Sequence, residues 1–371
     1  MKVSVLQENL SKGLNLTARV VASKTTLPIL SNVLISTEKS RLKLSATNLE
    51  TGVNLWIGAK IEEEGALTIP AKVLNEFIGS LPPEKIEMIS NETSLWVTSG
   101  SFKANFVGTA AGEFPQLPTF ENAPVLVFKK EELVKGLSQV AFAAAQDEGR
   151  PVLTGVLIRN TGDLEVTLVA TDGYRLSLKK IKCEEKNFEG DLLIPGKTLL
   201  EVARLAQEKS EDNAIRISLT PEKSQAIFAL SDIEFSTRLL EGEFPDFAKI
   251  IPQSYSVKAE FDKEEFLRAV KVASIFAREQ ANIVKLQIES GKVIVTAETP
   301  QVGNNESEIS AKTEGEKLEI AFNCRFMIDF LNTTKGEELV FEAGGPLAPG
   351  VFKVKGEDQY LHIIMPVRLQ S

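Results

Sequence analysis

The sequence predicts an α+β protein made of three similar domains in tandem, each with two helices and antiparallel sheets. Three observations carry this reading. A strand-then-helix opening recurs about every 120 residues, as "VSVLQENLSKGLNLTARVV", "LVFKKEELVKGLSQVAFAA" and "VKAEFDKEEFLRAVKVASI". Each opening is followed by a stretch that alternates apolar and polar residues, turns, and alternates again. Each repeat then carries a second short amphipathic segment.

In the first helices, apolar residues recur at helical spacing: Leu6, Leu10, Leu14 and Ala18; Leu133, Leu137, Val140 and Ala144; Phe266, Val270, Ala273 and Ala277. Asp262 and Glu265 are spaced as a capping box, with Asp in place of Ser or Thr. The hairpins are "NVLISTEKSRLKLSATN", "GVLIRNTGDLEVTLVATD" and "KLQIESGKVIVTAETP". The glycines of "NTGD" and "ESGK" are expected at positive φ in tight turns. The second helices are "LTIPAKVLNEFIGSL", "LLIPGKTLLEVARLA" and "IAFNCRFMIDFLNTT". Proline at the start of the first two suits a position whose N–H has no helical partner. "GEFPQLP" and "GEFPDFAKIIP" close the first two repeats, and linkers at "ENAP" and "IPQSYS" place the domains at 1–123, 124–252 and 253–371. Each repeat is large enough for its own core, which argues against a solenoid.

Whole-chain properties narrow the function. No run of about 18 apolar residues is present, so no membrane span is expected, and the N-terminus lacks a signal-peptide core. Cys183 and Cys324 have no metal or redox spacing, which points to a reduced cytoplasmic setting. The single histidine, His362, leaves nucleophile–His–acid triads and His-rich metal sites without material. No cofactor or metal is implied. A net charge of −9 by itself argues against a domain that grips nucleic acid.

The distribution of cations qualifies that. Aligning the repeats puts Lys12, Lys135 and Arg268 at one position of the first helix. It puts Lys72, Lys197 and Arg325 at one position of the second. Lys and Arg make up 42 of 371 residues, so a threefold coincidence at one position is rare. The second set falls in the first helical turn, where the dipole disfavours a cation by about 0.3–1 kcal/mol. If the domains form an arc with helices on one side, an acidic protein would present one positive face.

The stretch "LVATDGYRLSL" sets Asp172, Gly173, Tyr174 and Arg175 at the end of an apolar run. Asp and Gly are ordinary turn residues, so the residues alone favour a β-turn in which Asp172 orients Arg175. A hydrolase using Asp172 with a second carboxylate is the enzymatic alternative. It lacks a Gly-rich phosphate loop or a metal cluster to support it.

"TTLPILSNVLI", "LVATDGYRLSL", "GEFPDF" and the terminal "IIMPVRL" together resemble the bacterial sliding-clamp family, the beta subunits of DNA polymerase III, over essentially the whole chain. The resemblance implies a non-catalytic processivity factor in DNA replication. It implies a head-to-tail homodimeric ring with helices lining the hole, encircling double-stranded DNA without reading sequence. The same fold serving as a scaffold without DNA is the alternative. The resemblance also implies that the middle stretch is one wall of a pocket for short peptide motifs of the replicative polymerase, the clamp loader and repair proteins. Its matching positions are Leu153, Thr171, Gly173, Tyr174, Arg175, Leu176, Pro245, Ile250, Ile363 and Met365, with Thr171, Tyr174 and Arg175 orienting polar groups of the peptide. Tyr174 stands where some members carry His. The tail Gln370–Ser371 is expected near this pocket. Lys24 and Arg150 match DNA-contacting positions, although Pro151 and Val152 replace aromatic residues found in some members. A dimer contact would pair the edge strand of "SFKANFVG" with the third domain of a partner, packing Phe106 against Ile275 and Phe276.

Overall fold

The computed structural model describes residues 1–22, 27–147, 149–207, 213–279, 281–300 and 303–368. Lys24 and the Gln370–Ser371 tail lie outside the described residues. The expected strand–helix openings are present. Strands Lys2–Leu6, Leu126–Lys129 and Val257–Asp262 run into helices α1 (Gln7–Thr17), α3 (Lys130–Val140) and α5 (Lys263–Ala277). The second helices are α2 (Ala71–Gly79), α4 (Gly196–Ala206) and α6 (Cys324–Thr333). Asp262 caps α5, its Oδ1 accepting from the Glu265 N–H at 2.8 Å. Pro70 and Pro195 are the N-cap residues of α2 and α4, one position earlier than a first-turn proline. In α6, Asn323 takes that place and accepts from the Arg325 N–H at 3.0 Å.

The chain packs as two compact units, Met1–Lys130 with Glu185–Phe188 and Glu208–Leu239, and Glu131–Glu184 with Glu189–Gln207 and Leu240–Ser371. The middle repeat is divided between them because its strands pair with those of both neighbours. In the first unit, strand Thr51–Ile57 pairs antiparallel with Ile233–Arg238, Val53 opposite Phe235, within a ten-stranded sheet. A separate five-stranded sheet ends at Phe102–Val107. In the second unit, strand Arg175–Lys182 pairs antiparallel with Tyr360–Ile364, Leu176 opposite Ile363, within a twelve-stranded sheet.

Helix lies close on sheet where the side chain disappears. A Cβ at Gly13 of α1 would stand 2.8 Å from Leu44 Cδ1. One at Gly136 of α3 would stand 2.9 Å from Ile181 Cγ2. The equivalent residue of α5 is the buried Ala269. The third repeat's core is aromatic: Phe266, Phe322, Phe330 and Phe341 are fully buried and each meets the ring of the buried Phe352. One turn departs from expectation. Gly291 has φ +81°, as "ESGK" requires, but Gly162 has no positive φ, because the "NTGD" hairpin shifts register between Asn160 and Gly162 and relieves the turn there. The first hairpin turns through Lys39 and Ser40, both left-handed, without any glycine.

His362 is structural. Its ring is fully buried, stacked on Phe330 at 5.0 Å, with Nδ1 2.6 Å from Ser177 Oγ and Nε2 unpaired. Burial, then the Arg175 charge, hold its pKa well below 6.5. In the unfolded chain it titrates near 6.5. As pH falls below about 6.5 the unfolded chain therefore takes up a proton that the folded one refuses, and stability falls by up to about 1.4 kcal/mol per pH unit from this group. Denaturant midpoints at pH 7.5, 6.5 and 5.5 should fall less steeply in His362→Gln than in the native protein; parallel slopes would show that His362 contributes nothing.

Candidate peptide pocket and nucleic-acid face

The turn between strands Glu165–Thr171 and Arg175–Lys182 is built by its own side chains. The Thr171 hydroxyl donates to the Arg175 carbonyl oxygen at 2.6 Å and accepts from the Gly173 N–H at 3.0 Å. Asp172 Oδ1 accepts from the N–H groups of Tyr174 and Arg175 at 2.9 and 3.0 Å. Gly173 has φ +91°, a conformation that favours glycine. Arg175 is buried. Its Nε donates to Asp172 Oδ2 at 3.0 Å, Nη1 to Asp329 Oδ2 at 2.6 Å and Nη2 to the Phe142 carbonyl at 2.9 Å. The guanidinium also lies over the rings of Phe142 and Phe326, at 5.4 and 4.7 Å. Asp172 is thus a turn and ion-pair residue. Thr171 and Arg175 direct their polar atoms into the fold rather than toward a ligand. Of the three polar residues expected to orient a peptide, Tyr174 is the exposed one, at 62%.

Beside this turn lies an apolar cluster drawn from distant parts of the chain. Leu176 and Ile363 are buried in it with Phe244 and Phe247, and Ile250 and Val152 pack partly exposed on it. Pro245 is exposed between the two phenylalanines. Leu153 is buried in the short turn of helix Pro151–Thr154. Met365 is 39% exposed and its N–H donates to the Tyr174 carbonyl at 2.8 Å, which fixes the C-terminal segment alongside the turn. Val152, Phe244 and Phe247 were not singled out from the sequence, although the paired aromatics of "GEFPDF" are the signal that marks two of them.

All six aligned helix cations are exposed: Lys12, Lys72, Lys135, Lys197, Arg268 and Arg325. Lys72, Lys197 and Arg325 are each the second residue of their helix, as the dipole argument requires. Lys135 differs from the expectation of a cation held for a ligand. Its Nζ is 2.6 Å from Glu357 Oε1, which also takes the buried Lys179 at 2.6 Å. Burial pushes the Glu357 carboxyl up, and the two ammonium groups outweigh it, leaving it below the ordinary carboxylate range. Arg150 is exposed, but Nη2 donates to the Asp172 carbonyl at 2.9 Å and the guanidinium lies against Gly173. It braces the turn.

Strand Phe102–Val107 is the outer strand of its sheet, with Phe102 50% and Val107 76% exposed. Phe106 is buried, edge-on against Phe77 of α2 at 5.4 Å. Ile275 is exposed on α5, and Phe276 packs partly on the third-repeat core. Among the described residues no three His, Cys, Asp or Glu side chains gather as a metal site.

The structure superposes on the DNA polymerase sliding clamp of Bacillus subtilis with TM-score 0.93 and 28% identity, each chain covered in full. It superposes on the DNA polymerase III beta subunit of Thermotoga maritima with TM-score 0.90 and 27% identity, again over the full length of both. The fold is therefore that of the DNA clamps. The beta sliding clamp of Staphylococcus aureus is 29% identical over 381 aligned positions, covering 99% of both chains. Three family profiles match in order: the N-terminal domain of the DNA polymerase III beta subunit over 1–118, the central domain over 127–246 and the C-terminal domain over 248–368. The chain belongs to the DNA polymerase III beta-subunit family, the sliding clamps of DNA replication. Its members are non-catalytic processivity subunits.

Replacing Arg175 with Ala leaves Asp172 and Asp329 without their shared cation. Urea titration should show a loss of roughly 1–3 kcal/mol, while Tyr174→Ala stays near native. Equal, small effects would mean that the buried guanidinium does not hold the turn.

Proposed function

We propose that two copies of the protein close head to tail into a ring around duplex DNA, and that the ring tethers the replicative polymerase, and in turn the clamp loader and repair proteins, through peptide motifs seated at Tyr174, Leu176, Ile250, Ile363 and Met365. The observation that carries the ring is the repeated cation in the first turn of α2, α4 and α6, kept exposed at the end of the helix dipole that disfavours it. Phosphates passing the helices would take that charge without reading sequence. Closure retains DNA topologically, so weak attraction suffices and the net charge of −9 is no obstacle. The free edge of Phe102–Val107 supplies backbone groups for a strand of the partner, with Ile275 exposed for apolar contact. Phe106 would support that edge from behind, through Phe77. Cys183 and Cys324, both buried and outside any disulfide, suit a cytoplasmic protein.

At micromolar concentration the native mass should be twice 40.6 kDa, and negative-stain images should show closed rings wider inside than duplex DNA. Reversing Lys12, Lys72, Lys197, Arg268 and Arg325 to Glu should keep the rings yet cut retention on circular DNA at least about tenfold, more so as salt rises. Lys135 is left out because its reversal would oppose Glu357. Compact monomers, or native retention in the reversed variant, would overturn the topological reading.

The pocket is tested on its exposed residues. Tyr174→Ala with Met365→Ala should weaken a polymerase-derived peptide, held at about micromolar affinity, by at least about tenfold, with the dimer intact. Leu176→Ala is a poorer probe, since truncating so buried a leucine costs about 2–5 kcal/mol of stability on its own. Unchanged peptide affinity in the double variant would remove the pocket assignment.

A further inference from the structure

The first unit carries a cleft of about 600 Å³, within the size range of ligand sites. Its walls are chiefly apolar, from Leu27, Pro28, Ile29, Pro70, Val107 and Pro115. Much of it comes from segments whose repeat equivalents lie in or beside the pocket proposed above. The turn Pro28–Ser31 matches Pro151–Thr154, and strand pairing confirms the alignment, since Asn32 faces Pro70 as Gly155 faces Pro195. Pro115 of "GEFP" matches Pro245.

The pocket turn itself also recurs. Thr47 Oγ1 donates to the Thr51 carbonyl at 2.8 Å and accepts from the Leu49 N–H at 3.0 Å. Asn48 Oδ1 accepts from the N–H groups of Glu50 and Thr51 at 3.0 and 2.8 Å. These bonds repeat those of Thr171, Gly173 and Asp172. Leu49 stands in the place of Gly173 at φ +75°, a conformation that strains a non-glycine residue. Leu27 and Leu49 occupy the positions of Arg150 and Gly173, which touch in the second repeat, and they are 49% and 45% exposed.

Two observations define the occupant. Glu113 lines the cleft, is exposed, and makes no ion pair with another described residue. Strand Thr109–Ala110, whose Thr109 also lines the cleft, is the outermost strand of the ten-stranded sheet, and no strand of the described residues pairs with its outer edge. Apolar walls, a free strand edge and a lone carboxylate together suit an extended peptide that seats an apolar side chain beside a lysine or arginine.

We propose that this cleft is a second docking site for such apolar–basic peptide segments, separate from the pocket at Tyr174 and Met365. The test uses the full chain with Ile, Leu and Val methyl groups labelled, titrated to about millimolar concentration with acetyl-Lys-Leu-Phe-Lys-Gly-amide. A control peptide carries Glu at both lysine positions. Methyl shifts at Leu27 and Ile29 are expected, weakened at least about tenfold in the exposed Glu113→Lys variant and unaltered in Tyr174→Ala, Met365→Ala. Val107 ends the strand assigned above to the partner contact and is not used as a reporter. The acidic control should bind at least about tenfold more weakly. Absence of shifts at both residues, or shifts confined to Ile250 and Ile363, would overturn the site. Equal binding of the acidic peptide would overturn the basic-peptide assignment.

Discussion

Backbone pairing between strands far apart in sequence is the constraint on which the rest of the structure depends. Strand Arg175–Lys182 pairs through Arg175–Lys179 with Tyr360–Ile364. This pairing sets Leu176 opposite Ile363, delivers Met365 to the Tyr174 carbonyl, and adds Ile363 to the apolar cluster of Leu157, Val169, Phe244 and Phe247. It also buries His362 against Ser177 and carries Arg175 to within reach of Asp329. Thr51–Ile57 with Ile233–Arg238 makes the corresponding seam in the first unit.

On the other layer, the helices reconcile two demands at neighbouring residues. Gly13 and Gly136 let α1 and α3 approach the sheet to distances no side chain would permit, and Lys12 and Lys135 stand beside them at the surface. Close approach fixes the helix axis, and a fixed axis fixes where a long cation projects. Glu357 adds a further restraint at Lys135, joining it to the buried Lys179. That ammonium serves the fold as well as the surface.

Local patterns in the sequence revealed what depends on local physics. Helical spacing located the six α-helices of the described residues, and Asp262 marked a cap that forms as expected. The hairpins were visible from alternation, although Gly162 shows that a register shift can do without the left-handed glycine that composition suggests. Long-range partners were not legible. Nothing near Arg175 announces Asp329 or the Phe142 carbonyl, and nothing in "SFKANFVG" says that Phe106 turns inward to Phe77. The Thr47–Thr51 turn escaped notice because a leucine at its left-handed position contradicts every propensity; only the four hydrogen bonds reveal it. The family resemblance singles out apolar residues of this cluster as a proposed pocket wall, whereas their periodicity alone reads as core.

The division of the middle repeat between two units bears on how the chain is made. Residues 131–184 leave the ribosome before residues 214–238, yet the earlier segment belongs to the second unit and the later one to the first. The first unit therefore waits, with the edge of Thr51–Ile57 unpaired, while part of the second is already outside. That part in turn lacks Tyr360–Ile364 until those residues have emerged. Folding cannot proceed strictly from the N-terminus. Two sheet edges stay open while the intervening segments are made, and a nascent chain of this architecture is exposed to mispairing between its own similar repeats.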